Sequence, residues 1–184
     1  MRATTRIAAS APMALVIALV IVGAPGRADL APGRAPELAP PAHGPQEAEV
    51  VAVVVDPRTQ VHSVVLQGKR DRRQLAMAIG LAEATGIAVP LHGVTPPRPL
   101  THDLVLTLLG RLKVSVSRVV ITDLRNDIYY ATLHLSGSGG ELTLDSRPSD
   151  AIALAMRAKA PVLIEDRVFD KGGVEGPPAR RPHI

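Results

Sequence analysis

No cysteine occurs among the 184 residues. That excludes disulfides, thiolate metal sites, a cysteine nucleophile and a lipoprotein anchor, but leaves the redox compartment open. Tryptophan is absent, and one phenylalanine and two tyrosines hold the aromatic content at 2%. The core must therefore be built from Val, Leu, Ile and Ala, and single-strand recognition by rows of stacking aromatics is excluded. The formal charge of +4 is not a property of the middle of the chain, where the domain is expected. Arg2, Arg6 and Arg27 stand in residues 1–28 without an acid, whereas basic and acidic residues occur in equal number between Glu47 and Asp170. A neutral domain gives no whole-protein electrostatic case for nucleic-acid binding, so any affinity for phosphate must come from a local patch. The chain also has no P-loop, dinucleotide-binding glycine motif, HExxH or nucleophile elbow.

The length suits one ordinary domain with tails. Residues 1–28 read as a secretory signal: Arg2 and Arg6 precede the apolar stretch Ile7 to Val22, and Gly26-Arg27-Ala28 offers small residues for cleavage after Ala28. The alternative is an uncleaved N-terminal membrane anchor, for which the apolar run is about the minimum. Cleavage implies a secreted, periplasmic or cell-envelope protein with no membrane attachment. Residues 29–46, rich in Pro, Ala and Gly, read as a disordered tether, and residues 172–184 as a basic flexible tail. The domain is expected over residues 47–171.

Within it, Glu49 to Val55 and Val61 to Gln67 read as a hairpin. Arg72 to Thr85 is expected to be the first helix, from Leu75, Ile79 and Ala82 at helical spacing, with Gly86 as its C-cap. Ile87 to Pro99 is expected to be a proline-rich connection. A second helix runs from an N-cap at Thr101 to about Leu112, its inner face formed by Leu104, Leu108 and either Val105 or Leu112. Val114 to Leu124 and Ile128 to Leu135 pair about a tight turn, with Tyr129 and Tyr130 on opposite sides. Glu141 to Leu144 is a half-buried strand. Pro148 opens a third helix over Ala151 to Ala158, small and apolar nearly all round, so it should be buried. Pro161 ends it before the short strand Val162 to Ile164.

Two segments share a design. Arg98-Pro99-Leu100-Thr101-His102-Asp103 and Asp145-Ser146-Arg147-Pro148-Ser149-Asp150 each concentrate an arginine, a hydroxyl and an acid at a helix start. One reading is local: Ser146 or Ser149 caps, Asp150 complements the helix dipole and Arg147 pairs with Asp145. The other is chemical. Asp103, Asp145 and Asp150 supply hard oxygen ligands for Mg²⁺, Mn²⁺ or Ca²⁺, and His102 can move a proton. Arg98 and Arg147, with Thr101, Ser146 and Ser149, can bind phosphate. If the two helix starts meet in space, phosphodiester hydrolysis is a coherent outcome.

These residues also carry a resemblance. PPRPLTHDLV, from Pro96 to Val105, together with SRPSDAIALA, from Ser146 to Ala155, resembles the bifunctional nuclease domain family. The likeness covers about Glu49 to Lys171, including Val119 to Asp123 and Tyr129 to Leu135. It implies a single α+β domain, with three main helices on a mixed, largely antiparallel sheet, that often self-associates as a dimer or higher homo-oligomer. It also implies cleavage of DNA and RNA, to which the aspartates' chemistry adds the expectation of assistance by Mg or Mn. The resemblance brings no settled catalytic set, only matching motif positions, from Arg98 to Asp103 and from Asp145 to Asp150; the chemical reading makes His102, Asp103, Asp145 and Asp150 the catalytic set, with Asp103, Asp145 and Asp150 as metal ligands. Arg98, Thr101, Ser146, Arg147 and Ser149 would hold phosphate. Members usually carry an acid in a Glu-Ala start to the first helix, and Arg73-Gln74-Leu75-Ala76 has none. The connection from Gly86 to Val94 reads as longer than usual. The competing reading is a non-enzymatic module of the same fold that binds an anion or nucleotide, or mediates oligomerisation.

Overall fold

The computed structural model describes residues 44–174. The signal and nearly all of the tether and tail expected above lie outside them. The ordered structure overlaps both flanks, because Gln46 opens the first strand and residues 172–174 are still in regular structure.

β1 (Gln46–Val55) and β2 (His62–Gly68) form the expected hairpin. β3 (Gln74–Ile79) follows where a helix was expected. Leu75 and Met77 are buried while Ala76 and Ala78 are exposed, a period of two. Leu75, Ile79 and Ala82 fit a helical spacing equally well, and Ala, Met and Gln favour helix. Pairing decided the outcome: β3 zips along β2 from His62↔Ile79 to Gln67↔Gln74, an edge no local preference can see.

The first helix is α1 (Leu81–Leu91), which starts nine residues and ends six residues later than expected and runs through Pro90. Gly86 is buried in its middle and is not a C-cap. Pro90 has no N–H to give the Gly86 carbonyl one turn back. That carbonyl instead accepts from the Arg157 guanidinium, so a long-range side chain fills the gap the proline leaves. The first part of what read as a connection, Ile87 to Leu91, is thus helix.

α2 (Thr101–Arg111) begins one residue earlier than expected, with Leu100 rather than Thr101 at the N-cap. Its rotation is also different. Val105, Leu106 and Leu109 pack against the core, whereas Leu104, Leu108 and Leu112 are 65%, 58% and 63% exposed. So many leucines fall between 104 and 112 that no stripe is distinct. Asp103, tied to Arg157 on a neighbouring helix, sets which face turns inward.

β4 (Ser115–Arg125) and β5 (Ile128–Gly137) join through Asn126 and Asp127, both at positive φ, as a two-residue hairpin turn requires. Tyr129 packs against the core, and Tyr130, on the other side, lies 4.1 Å under the Arg125 guanidinium. β6 (Gly140–Ser146) then leads into α3 (Pro148–Ala158), whose Ala151 to Ala155 are all buried. β7 (Val162–Ile164), α4 (Asp166–Gly172) and β8 (Gly173–Val174) complete the domain. α4 was not foreseen; seven residues are too few for a periodic signal, and the burial of Val168 and Phe169 defines it.

One sheet runs in the order β6-β5-β4-β7-β1-β2-β3-β8. Every neighbouring pair is antiparallel except β4 with β7, so the α+β class and the mixed, largely antiparallel sheet are both observed. The sheet curls strongly. Gly172 sits against Tyr129 and Leu124 of the β4–β5 hairpin and against Leu75 of β3, although β7, β1 and β2 lie between those strands in the sheet. A glycine is needed there, since a Cβ would stand 2.8 Å from the Tyr129 hydroxyl. The curl encloses Val64, Leu66, Ile121, Ile152 and Ile164, all fully buried, and brings the starts of α1, α2 and α3 together.

Candidate active site

A cleft of about 380 Å³ opens where those three helices begin. α1 contributes Glu83 and Gly86, α2 contributes Thr101 and His102, and α3 contributes Arg147 and Asp150. Helix starts carry free N–H groups and partial positive charge, so their convergence makes the cleft receptive to anions despite the domain's neutrality.

The charged groups form a chain. Arg147 grips Asp150 bidentately, Nε to Oδ2 at 2.7 Å and Nη2 to Oδ1 at 3.0 Å. Its Nη1 lies 2.9 Å from Glu83 Oε1. His102 Nε2 stands 3.5 Å from Asp150 Oδ1 on the other side. The Arg147 side chain is 66% exposed while that of His102 is 15% exposed, so the guanidinium is the accessible cation and the imidazole sits in the wall. Asp150 and then Glu83 push the Arg147 pKa upward, which keeps the guanidinium charged under all ordinary conditions. Gly86 makes room for the imidazole: a Cβ there would stand 2.8 Å from His102 Cε1.

Asp103 belongs to a second, structural cluster behind this one. Its Oδ2 accepts the Leu100 N–H at 2.8 Å, and its Oδ1 accepts Arg157 Nε at 2.7 Å. Arg157 is 8% exposed and also donates to the Ala153 carbonyl at 2.9 Å. Burial pushes the Asp103 carboxyl up, but the Leu100 N–H and the Arg157 guanidinium outweigh it and hold the pKa below the ordinary value. A carboxylate engaged on both oxygens is poorly placed to bind a metal ion.

Asp145 lies elsewhere. It pairs with Thr132 across the β5–β6 ladder, while its neighbour Leu144 pairs with the buried Leu133. Strand alternation therefore turns Asp145 to the face opposite the core and the helices. The expected pairing of Arg147 with Asp145 is replaced by pairing with Asp150 and Glu83. Neither serine caps α3: the N-cap is Arg147, with no side-chain capping bond, and the Ser146 hydroxyl donates to the Arg147 carbonyl at 3.0 Å. Arg98 is exposed, lines neither cleft described here and makes no ion pair with a described residue. Ser149 is buried at the floor of a neighbouring cleft of about 420 Å³, which Glu83 and Arg147 also border.

Thr101, His102, Arg147 and Asp150 are thus brought together, and Asp103, Asp145 and Arg98 are not. Among the described residues no three His, Asp or Glu side chains are grouped so as to hold a metal ion. Asp103, Asp145 and Asp150 do not fit a shared Mg²⁺ or Mn²⁺: two are bound by guanidiniums and the third faces away. Glu83, Gly86 and Arg157 were missed as functional or supporting residues. Glu83 is the acid read as lacking from the first helix; the helix simply starts at Leu81, with Glu83-Ala84 in its first turn. Misplacing that helix hid it, and the capping logic applied to Thr101 and Asp150 would have found it at Gly80-Leu81-Ala82-Glu83.

Fold and cleft define a class: a curled α+β domain whose three helix starts present a histidine, two carboxylates and an exposed arginine to one anion-receptive recess. The chain belongs to the bifunctional nuclease domain family, whose model matches residues 64–176. It is 35% identical over 128 residues to an uncharacterised protein of Mycobacterium tuberculosis, a match that covers 70% of this chain and 76% of that protein. It is 32% identical over 119 residues to bifunctional nuclease 1 of Oryza sativa subsp. japonica, covering 62% of this chain and 36% of the plant protein. To bifunctional nuclease 2 of Arabidopsis thaliana it is 27% identical over 129 residues, or 63% and 39% of the two chains. The chain thus spans little more than a third of either plant protein.

Proposed function

We propose that this protein is a nuclease that hydrolyses phosphodiester bonds of DNA and RNA. The observation that supports this best is the row Glu83–Arg147–Asp150–His102 in a cleft made by three helix starts. A phosphodiester entering the cleft meets Arg147 first. Guanidinium has five N–H donors, and the contacts to Asp150 and Glu83 use three, which leaves two for non-bridging phosphate oxygens. His102 takes the proton of the attacking water as the new P–O bond forms, and the bond to the leaving oxygen breaks. Asp150, beside Nε2, stabilises the imidazolium so produced, while Arg147 offsets the charge that builds on the phosphorane oxygens. No step is routed through a metal ion.

The purified full chain, incubated with plasmid and with RNA, should cut both, and His102→Gln and Arg147→Lys should each abolish most of the cutting. Parallel reactions with Mg²⁺, with Mn²⁺ and with chelator read out metal dependence directly. The non-enzymatic reading is favoured by one fact: both carboxylates bordering the cleft, Glu83 and Asp150, are already ion-paired with Arg147. Intact substrate at high protein, with saturable binding of a nucleotide, would establish it instead.

A further inference from the structure

The second cleft shares a boundary with the first, and that boundary is Glu83 and Arg147. Its character differs. Ile79 at the end of β3, Ile128 and Tyr129 at the start of β5, and Pro148 at the start of α3 give it apolar walls, and the sheet's curl is what brings β3 and β5 together there. Its polar lining is Glu83, Asp127, Arg147 and the buried Ser149. At about 420 Å³ it falls in the size range of sites for one small, mostly buried organic group.

We infer that this cleft is a nucleobase subsite, and that the two clefts seat the two nucleosides flanking a single phosphodiester, with Arg147 on the phosphate between them. The inference rests on the nuclease reading for its phosphate and adds the substrate's extent. A base is flat, with apolar faces and a polar edge, which suits apolar walls closed by a charged and hydroxyl-bearing rim. A free phosphate would gain nothing from Ile79 or Ile128. A polyphosphate would meet Asp127 and Glu83 as well as Arg147, no net positive field. The guanidinium is exposed at the shared boundary, so a phosphate bound to it has a cleft on either hand.

The test compares binding of thymidine 5′-monophosphate with that of a phosphorothioate-linked thymidine dinucleotide, which resists cleavage, to the full chain by calorimetry. The dinucleotide should bind at least about tenfold more tightly, as burial of a second base against apolar walls implies. Ile128 is 57% exposed and can be changed without opening the core. Ile128→Asp should remove most of that gain; hydrolysis of the small diester bis(p-nitrophenyl) phosphate by the wild-type chain, measured in parallel, reads out cleavage separately. Ile128→Asn, which adds no charge, guards against a misfolded variant and should lose part of the gain. Equal binding of the two ligands by the wild-type chain, or a full gain retained in both variants, overturns the subsite. If the small diester is hydrolysed but the dinucleotide gains nothing, the subsite falls and the nuclease reading stands. If the gain is present but neither diester nor polynucleotide is cut, the subsite stands and the nuclease reading falls.

Discussion

Replacing Asp103 by alanine removes two contacts at once. The Leu100 N–H loses its acceptor at the start of α2, and Arg157 loses its one carboxylate partner among the described residues. Loss of the cap costs about 1 kcal/mol. Removing one partner of a buried ion pair costs about 3–5 kcal/mol, and the low end to somewhat below it applies here, because Arg157 keeps backbone acceptors on Gly86 and Ala153 and Asp103 is a third open to solvent. One guanidinium nitrogen of Arg157 is already buried without a partner, which leaves little slack for further loss. Together these give roughly 3–4 kcal/mol, or a Tm lower by roughly 10–15 °C for a domain of this size. Asp103→Asn keeps one acceptor and should fall by about half as much. The sign with pH follows from the depressed pKa. Asp103 stabilises the fold at pH above its ordinary value near 3.9 and ceases to do so as pH falls through the lower folded value, so the Tm gap between wild type and Asp103→Ala should be constant from about pH 7 to 5 and narrow below about pH 4. Thermal unfolding followed by circular dichroism across that range is the assay. Asp103 lines neither cleft, so the folded variant, assayed well below its Tm, should retain cleavage within about tenfold. An unchanged Tm combined with lost cleavage would refute this assignment and return Asp103 to the chemistry.

His102→Gln should lower kcat by about 10²–10⁴-fold in steady-state cleavage kinetics. Arg147→Lys should cost about 10²-fold in kcat/KM in steady-state kinetics, because an ammonium cannot keep the paired bonds to Asp150 and still face a phosphate. Gly86→Ala, which in an open helix would gain about 0.5–1 kcal/mol, should here destabilise by about 1–3 kcal/mol and reduce cleavage, since the new methyl collides with His102; denaturant unfolding and the cleavage assay check both. Leu104→Ser and Leu108→Ser should each change the unfolding free energy by no more than about 0.5 kcal/mol, because both face solvent.

Several features were legible from the residues because their causes are local. Pro148 at the first turn and the run from Ala151 to Ala155 announce a buried helix without reference to anything distant. The β4–β5 hairpin is written in Asn126 and Asp127, which tolerate positive φ, and in the alternation on either side of them. The paired motifs around Arg98–Asp103 and Asp145–Asp150 carried the family, and Thr101, His102, Arg147 and Asp150 do meet in one cleft. Other features depended on partners far along the chain. Gln74 to Ile79 is a strand only because β2 lies beside it, and α2 turns Val105 and Leu109 inward only because Arg157, 54 residues away, holds Asp103. Glu83 stayed hidden until the first helix was placed, although it borders both clefts.

By itself the sequence determined the order of most elements, the family and the two polar corners, since each depends on backbone preferences and spacings within a few residues. The tertiary structure alone decided which of those polar side chains share a recess. The curl of an eight-stranded sheet brings three helix starts to one point, while strand alternation turns Asp145 away and a buried arginine holds Asp103 behind the wall. Such selection depends on distances between residues remote in the chain, which no local pattern records.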